Sequence, residues 1–235
     1  MRRRPFLLLS ALAPVAGAHG ERVPLAVGEH GVESRWKALL AHLAQRAGVE
    51  WRILPMPWPR AQAFAEAGEG LMFGLTRTRE REPRFAFSLP VITVQTWVVV
   101  RAAEAGQFDD GLAQRSVCMA RGSAYPSVFA DRGVPVGRWV GANQGDPAAL
   151  RMLLAGRCDA TVLTLPGPEA AMVHRRLPLY GLDAAGLAVL PKPVTDSPLH
   201  LVTGHQSPWL PLLRRFDPIL QQDRALIDHL ASQTD

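Results

Sequence analysis

The sequence predicts an α/β protein with two similar, Rossmann-like lobes whose sheets are parallel or mixed. Two observations carry this prediction. A strand–helix–strand–helix–strand array fills the chain from Val23 to Leu75, and the same pattern starts again after Arg115. Extended segments connect the two arrays, so we expect a cleft between the lobes, where ligands usually bind.

The first array combines apolar strands with helices bounded by proline and glycine. Five apolar residues at helical spacing predict an amphipathic helix that Gly48 ends. Proline is favourable in the first turn of a helix because its missing N–H needs no partner there, which predicts a helix from Trp58. The elements are, in order, a strand Val23–Gly28, a helix with Trp36, Leu39, Leu40, Leu43 and Ala47, a strand Val49–Met56, a helix from Trp58 to Gly68, and a strand Leu71–Leu75.

The second array follows Val91–Arg101, a β-branched stretch that is the most strand-like part of the chain. Within this array, Asp146 is predicted to cap a helix that has Pro147 at its first position. The elements are the strands Ser116–Ala120, Val134–Val140 and Asp159–Thr164, the helices Ala124–Asp131, Ala148–Ala155 and Pro168–Arg176, then a strand Leu199–Thr203 and a helical region Pro208–Leu230.

The composition is that of a folded protein with an export signal. Hydrophobic residues make up 48% and charged residues 20% of the 235 residues, which excludes wholesale disorder. Residues 2–4 are all arginine and precede a short apolar run over Pro5–Val15, and the small residues 16–18 fit the cleavage rule. We therefore predict a signal peptide over residues 1–18, cleaved after Ala18, and a periplasmic mature protein.

The formal net charge of +5 does not indicate nucleic-acid binding. Three of the positive charges belong to the predicted signal peptide, and the other arginines are scattered along the chain. The apolar run of the signal is shorter than the roughly 20 residues that span a bilayer. No nucleic-acid partner is predicted.

Cys118 and Cys158 are the two cysteines of the chain. Their number and spacing rule out a zinc ribbon and a C-x-x-C redox site. The pair either forms one disulfide in an oxidising compartment or remains as two buried thiols. The seven histidines lack ligand-like spacing, and nucleophile-elbow, zincin and P-loop motifs are absent from the sequence. No catalytic residue, metal or cofactor is therefore predicted.

Four motifs resemble those of type 2 periplasmic solute-binding proteins, the family 3 proteins that serve polar amino-acid ABC transporters. An aromatic residue and a helix ending in glycine, Trp58 to Gly68, precede a strand. A T-x-x-R motif follows at Thr78–Arg81, and an F-S-x-P motif at Phe87–Pro90. Gly156–Ala160 then matches the family pattern G-R-x-D-A. The resemblance covers nearly all of the mature chain.

This resemblance implies two lobes joined by a two-segment hinge. One lobe is expected to contain residues 19–96 and 200–235, and the other residues 97–199. The implied ligand is a small carboxylate-bearing molecule, an amino acid or a related organic acid, held between the lobes. The implied partner is an ABC permease of the inner membrane, and the binding protein is expected to be a monomer.

Arg81 occupies the arginine of the T-x-x-R motif, which in the family clamps the ligand carboxylate. The physical chemistry agrees, because a guanidinium fork matches a carboxylate and stays charged when buried. The alternative is an ordinary solvated run of charges, since Arg77, Arg79 and Arg84 lie nearby.

Four further positions are carried over from the resemblance. Trp58 takes the place of the aromatic residue that stacks on the ligand, the alternative being a core tryptophan at a strand–helix junction. Gly74 and Thr76 fall where the family offers backbone groups and hydroxyls to the ligand. Ser123 follows Gly122 at the start of a helix, where free N–H groups suit an anion, the alternative being a simple capped turn.

Two departures from the family pattern bear on the ligand. Amino-acid binders keep a carboxylate for the α-ammonium group at the end of the strand after G-R-x-D-A, where this chain has the neutral Thr164. Near the first strand stand Glu29 and His30. Either Glu29 supplies the missing negative charge, or the ligand lacks an α-amino group, and the neutral Thr164 favours the second.

Two other functions remain open on the same fold. One is a periplasmic enzyme of dehydratase type, for which Glu29 or His30 would act as the acid–base group. The other is a ligand-sensing partner of a membrane receptor, which lobe closure would serve equally well. The sequence contains none of the catalytic motifs considered above, which favours a binding protein over an enzyme.

Overall fold

The computed structural model describes residues 21–29, 34–165 and 177–232. Three sequence predictions lie outside the described residues, namely the signal peptide over residues 1–18, His30, and the helix Pro168–Arg176.

Strands and helices alternate through both arrays. The strands are β1 (Glu21–Val27), β2 (Val49–Pro55), β3 (Leu71–Thr76), β4 (Phe85–Phe87), β5 (Ile92–Arg101), β6 (Ser116–Ala120), β7 (Arg138–Ala142), β8 (Ala160–Leu165), β9 (Leu187–Val189) and β10 (Thr195–Gly204). The α-helices within the described residues are α1 (Ser34–Ala47), α2 (Trp58–Glu66), α3 (Tyr125–Asp131), α4 (Gly145–Leu154), α5 (Leu210–Gln222) and α6 (Arg224–Ser232). Short 3₁₀ turns occupy Ala102–Gln107, Leu177–Tyr180 and Ala184–Gly186.

The ten strands of the described ranges form one mixed sheet in the order β2-β1-β3-β10-β5-β8-β6-β7, with β4 paired to β10 and β9 paired to β5. The two flanks of this sheet repeat the same arrangement. In the first array, β2, β1 and β3 are parallel with β1 in the middle. In the second array, β7, β6 and β8 are parallel with β6 in the middle. This duplication confirms the prediction of two similar α/β units.

The centre of the sheet is antiparallel and connects the two arrays. The long strands β5 and β10 pair with each other between Ile92–Thr96 and Thr195–Leu199. Beyond that stretch β10 pairs with β3, whereas β5 pairs with β8. Two strands therefore run from one array to the other, as a two-segment hinge requires. The sequence analysis found only the second half of β10, because Pro198 interrupts its apolar pattern.

The hydrophobic core is divided at β5. Val94 belongs to a cluster that contains residues of β1–β3 and of the C-terminal helices, whereas Trp97 belongs to a cluster in the second array. Phe216 of α5 is fully buried and stacks on Trp51 of β2, with ring centroids 5.4 Å apart. The C-terminal helices thus return to the first array, which periodicity alone did not establish.

Two local predictions in the second array are wrong. The strand predicted over Val134–Val140 begins only at Arg138, because Val134 still donates to the Phe129 carbonyl of the preceding helix and Gly137 lies in a turn bonded to Leu112. Asp146 is not a helix cap. Helix α4 begins one residue earlier, so Asp146 lies in its first turn.

Cys118 and Cys158 form a disulfide, with Cα atoms 5.9 Å apart. Both residues are buried, and the bond ties β6 to the segment that leads into β8. This resolves the alternative that the sequence left open between a disulfide and two buried thiols. The bond crosslinks the core of the second array.

Candidate ligand-binding cleft

A cavity of about 240 Å³ lies between the two arrays, at the carboxyl ends of their parallel strands. Thr76 ends β3, Ala120 ends β6 and Thr164 is near the end of β8, and all three line this cavity. The hinge strand β10 contributes Ser197 and Leu199. Ligands of α/β sheets bind at the carboxyl ends of the strands, so the cavity is in the expected place.

The cavity brings together the residues that the sequence analysis selected. Arg81, Trp58, Thr76, Gly74, Ser123, Glu29 and Thr164 all line it. His30 lies outside the described residues. The roles of these residues in binding stay predictions, but their convergence on one cavity is a structural fact. We call Trp58, Gly74, Thr76 and Arg81 the first wall, and Ser123, Tyr125, Asp146 and Thr164 the second wall.

Arg81 lies at the base of the cleft and is buried, with 6% of its surface exposed. Its Nη1 donates to the carbonyl oxygen of Thr76 at 2.9 Å, and its Nη2 donates to the carbonyl oxygen of Gly122 at 2.8 Å. Burial lowers the pKa of Arg81 to about 10, so the guanidinium remains charged at neutral pH. Among the described residues, no carboxylate forms an ion pair with it.

The neighbouring arginines differ from Arg81. Arg77 pairs with Glu82 at 2.7 Å, Arg84 pairs with Glu66, and both lie at the surface. Arg81 instead lies where two turns meet: its N–H donates to the Thr78 carbonyl, and its own carbonyl accepts from the N–H of Phe85. These turns direct the side chain under the end of β3. The interpretation of Arg81 as part of a solvated charge run is therefore wrong.

Trp58 forms one side of the first wall at the start of α2. A Cβ atom added to Gly74 would lie 3.5 Å from the indole Cη2, and one added to Gly28 would lie 3.8 Å from Cε3. Gly74 has a φ of +97°, which other residues rarely adopt. The glycines therefore leave room for the tryptophan ring, which is half-buried and faces the cavity.

Gly122 connects the two walls through its backbone. Its carbonyl oxygen accepts hydrogen bonds from Gln62 Nε2 at 2.9 Å and from Arg81 Nη2 at 2.8 Å. Gly122 has a φ of +79°, a backbone conformation that favours glycine, in the turn after β6. The base of the cleft is thus held by hydrogen bonds from the first array to a single carbonyl of the second.

Ser123 lies in that same turn. Its N–H and its hydroxyl both donate to the carbonyl oxygen of Ala120, at 3.1 and 2.7 Å. The N–H that the sequence analysis offered to an anion is therefore already bonded. The hydroxyl oxygen keeps lone pairs and could accept a hydrogen bond from a ligand donor.

Tyr125, Asp146 and Thr164 make the polar part of the second wall. The Tyr125 hydroxyl donates to Thr164 Oγ1 at 3.4 Å, and burial raises the pKa of this tyrosine, which keeps it neutral. Enclosure in the cavity wall raises the pKa of Asp146 to about 6. The sequence analysis missed Tyr125 and assigned Asp146 to a helix cap. The signal that could have found Asp146 is its place shortly after β7, where the chain passes from the carboxyl end of the strand into α4.

Glu29 lies at the rim of the cavity and is exposed. Trp36, Phe73 and Tyr180 add apolar and aromatic surface to the lining. Within the described residues there is no cluster of side chains that could hold a metal ion and no helix long and apolar enough to cross a membrane. The cleft is therefore an apolar cavity with a few converging polar groups, the usual composition of a small-molecule site.

The duplicated arrays, the antiparallel hinge strands and the cleft between them define the class: the chain has the fold of the type 2 periplasmic binding proteins. The sequence itself matches no protein-family model and no curated protein.

Solved structures match most of the chain. The substrate-binding protein AbpA of an amino acid ABC transporter from Streptococcus pneumoniae, bound to L-arginine, is 19% identical with a TM-score of 0.67, over 89% of this chain and 92% of that chain. The GluR0 ligand-binding core from Nostoc punctiforme, in complex with L-glutamate, is 15% identical with a TM-score of 0.64, over 88% and 96%. The ancestral amino acid-binding protein AncCDT-1, a precursor of cyclohexadienyl dehydratase, is 19% identical with a TM-score of 0.67, over 89% and 93%. At these identities the similarity establishes the fold.

Proposed function

We propose that this protein binds a small carboxylate-bearing solute between its two lobes in the periplasm. The observation that carries the proposal is the environment of Arg81. A buried guanidinium lines the cavity, its described hydrogen-bond partners are carbonyl oxygens, and the exposed Glu80 acts on it electrostatically without forming an ion pair. Burying a charge without an opposite charge is unfavourable, so the site is completed by an anion from outside the chain.

A carboxylate fits the donors that Arg81 leaves open. The guanidinium has a planar fork of donors, and Thr76 and Gly122 use one donor of each terminal nitrogen. The remaining donors can form two parallel bonds to a carboxylate. Trp58 and Tyr125 on the two walls then offer flat surfaces for the apolar part of the ligand.

Binding is coupled to the position of the lobes. We assign residues 19–96 and 200–235 to one lobe and residues 97–199 to the other, which is supported by the division of the core at β5. The ligand touches both walls, so it stabilises the closed arrangement of the lobes more than the open one. The hinge strands β5 and β10 accommodate the change.

The same closure would serve uptake. An ABC permease of the inner membrane would recognise the closed, ligand-bound monomer after export and removal of residues 1–18. AbpA, which shares the fold, is the substrate-binding protein of such a transporter. GluR0 shares the fold as a non-transporter domain, so sensing through a membrane partner is the second candidate. Deleting the chain's gene and measuring uptake of the identified ligand separates the two.

The test of binding is a thermal-shift screen of the mature protein against amino acids, organic acids and small sugars, followed by calorimetry. A ligand that binds only the folded state raises the melting temperature. We expect hits among carboxylates, and we expect Arg81→Ala to weaken their affinity by at least roughly tenfold. Arg79→Ala is the control, because Arg79 is an exposed arginine of the same motif. Hits confined to sugars, or equal affinities for the two variants, would contradict the proposal.

A further inference from the structure

We infer that Asp146 binds a cationic group of the ligand, so that the cleft selects a solute carrying an ammonium or guanidinium group as well as a carboxylate. The inference rests on the proposed function, because it concerns the same cleft. The neutral Thr164 favoured a ligand without an amine. The structure instead provides a carboxylate on the same wall, from the neighbouring helix α4.

Asp146 has no partner among the residues that the structure describes. It lines the cavity from the first turn of α4 and is partly buried. No described donor forms a hydrogen bond with its carboxylate, and no described arginine, lysine or histidine forms an ion pair with it. A carboxylate without hydrogen-bond partners forms a strong, charge-assisted hydrogen bond with a cationic donor that enters the cavity.

Asp159 shows how the same array treats a structural carboxylate. Its Oδ2 accepts hydrogen bonds from the N–H and the hydroxyl of Ser116, both at 2.7 Å. Burial alone would raise the pKa of Asp159, but these two bonds and the nearby Arg115 and Arg101 lower it. Asp146 has no such hydrogen bonds among the described residues, and desolvation raises its pKa.

Of the charged side chains that line the cavity, Asp146 is the one best placed to bind a cation. Arg81 lies on the opposite wall and is hydrogen-bonded to carbonyls, while Arg121 is an exposed lining residue beside Gly141. Tyr125 and Tyr180 are phenols, and Glu29 is the other acid of the lining but sits at the exposed rim. Among the charged lining groups that are not exposed, one is positive (Arg81) and one is negative (Asp146), and they lie on opposite walls of a small cavity, which matches a dipolar ligand.

An acid in the first turn of a helix can also act by stabilising the helix dipole. The two roles predict opposite effects on the unliganded protein. If Asp146 served α4, its replacement by asparagine would destabilise the fold. If the Asp146 carboxylate is paired only by the ligand, the replacement removes an uncompensated charge. It then stabilises the unliganded fold and weakens binding of the cationic ligand.

The experiment compares ligand pairs that share a carboxylate and differ in the amine. Calorimetry is done with L-glutamate and glutarate, L-phenylalanine and 3-phenylpropanoate, and 5-aminopentanoate and pentanoate. The proteins are the wild type, Asp146→Asn and, as a control, Asp131→Asn, which removes the same charge from an exposed position at the end of α3. Thermal unfolding of each variant without ligand is recorded in parallel.

We expect the wild type and Asp131→Asn to prefer the amine-bearing member of at least one pair by roughly tenfold or more. Asp146→Asn should lose this preference, keep its affinity for the member without an amine, and melt no lower than the wild type. Equal binding of both members by the wild type, or a preference that survives in Asp146→Asn, overturns the inference but leaves carboxylate binding intact. Failure of the wild type to bind any carboxylate, either in these pairs or in the thermal-shift screen, contradicts the proposed function itself.

Discussion

The two walls of the cleft hold their charged groups in different ways. On the first wall, the Arg81 guanidinium is fixed by hydrogen bonds to two backbone carbonyls, one from each array. On the second wall, the Asp146 carboxylate has no such bonds within the described part of the chain. The array behind the second wall is crosslinked by a disulfide, whereas the first array contains no cysteine.

This difference indicates how the site is organised. Arg81 keeps its bond to the Thr76 carbonyl of its own lobe in any lobe position, whereas its bond to the Gly122 carbonyl forms only when the two lobes approach, so the guanidinium is partly preorganised before an anion arrives. Asp146 instead lies on α4, which packs against a buried cluster that contains the disulfide between β6 and the entry to β8. Binding energy from the second wall therefore depends on the stability of the whole array rather than on local hydrogen bonds.

The largest expected effect is on the second array and comes from the disulfide. A bond that closes a loop with a sequence separation of 40 residues stabilises the fold by up to about 4 kcal/mol through the entropy of the unfolded chain. We expect the double variant Cys118→Ala/Cys158→Ala to lose a large part of this free energy of unfolding. Denaturant unfolding with and without a reductant measures it, and the double variant should not respond to the reductant. An unchanged midpoint for the reduced wild type would contradict this role.

The next effect concerns Asp146 and depends on pH. Its pKa is raised from 3.8 to about 6 in the folded state, so the folded protein is disfavoured when the group is charged. The resulting decrease in the free energy of unfolding is absent below the pKa that the group has in the unfolded chain. It grows as the pH rises from about 4 to about 6, and it is complete above that. We expect Asp146→Asn to raise the free energy of unfolding by about 1–3 kcal/mol near pH 7.5 and by almost nothing near pH 4.

Chemical denaturation at several pH values measures this difference, with Asp131→Asn as the exposed control. A constant difference between the wild type and Asp146→Asn across the range would mean that Asp146 titrates normally. A loss of stability at neutral pH would assign Asp146 to the helix rather than to the ligand.

The smallest effect is expected at Trp58, which supplies surface rather than charge to the first wall. Removal of a stacking aromatic ring costs about 1 kcal/mol, or roughly fivefold in affinity. Trp58→Ala should therefore weaken carboxylate binding by roughly this amount, and Trp58→Phe should restore most of it. Calorimetry with the best ligand of the screen measures both. A loss as large as that of Arg81→Ala would mean that the tryptophan shapes the guanidinium site itself.

Much of the fold was predictable from the sequence because each array alternates strands and helices with proline and glycine at their ends. The pattern did not predict β4 and β9, which are three residues long, or the full length of β10. Short strands lack a period, and the antiparallel pairing of β5 with β10 joins segments about a hundred residues apart, which no local pattern records.

The sequence predicted the cavity residues that belong to one local motif. It did not predict the residues that reach the cavity only through the packing of distant elements. Arg81, Gly74 and Thr76 follow one strand and its turns, so the motif located them together on the cavity. Asp146 and Tyr125 reach the cavity from two helices of the second array. Their convergence depends on how the helices pack on the sheet, and the same residues in sequence resemble an ordinary helix start.

The central claim is that Arg81 recognises a carboxylate, and one calorimetric cycle tests it directly. The tightest-binding acid of the screen is compared with its primary amide, on the wild type and on Arg81→Ala. We predict that the wild type prefers the acid by roughly a hundredfold, since a charged pair is lost with the amide, and that Arg81→Ala reduces this preference to within about threefold. If Arg81→Ala keeps the wild-type preference for the acid, the carboxylate is recognised elsewhere and the account is wrong.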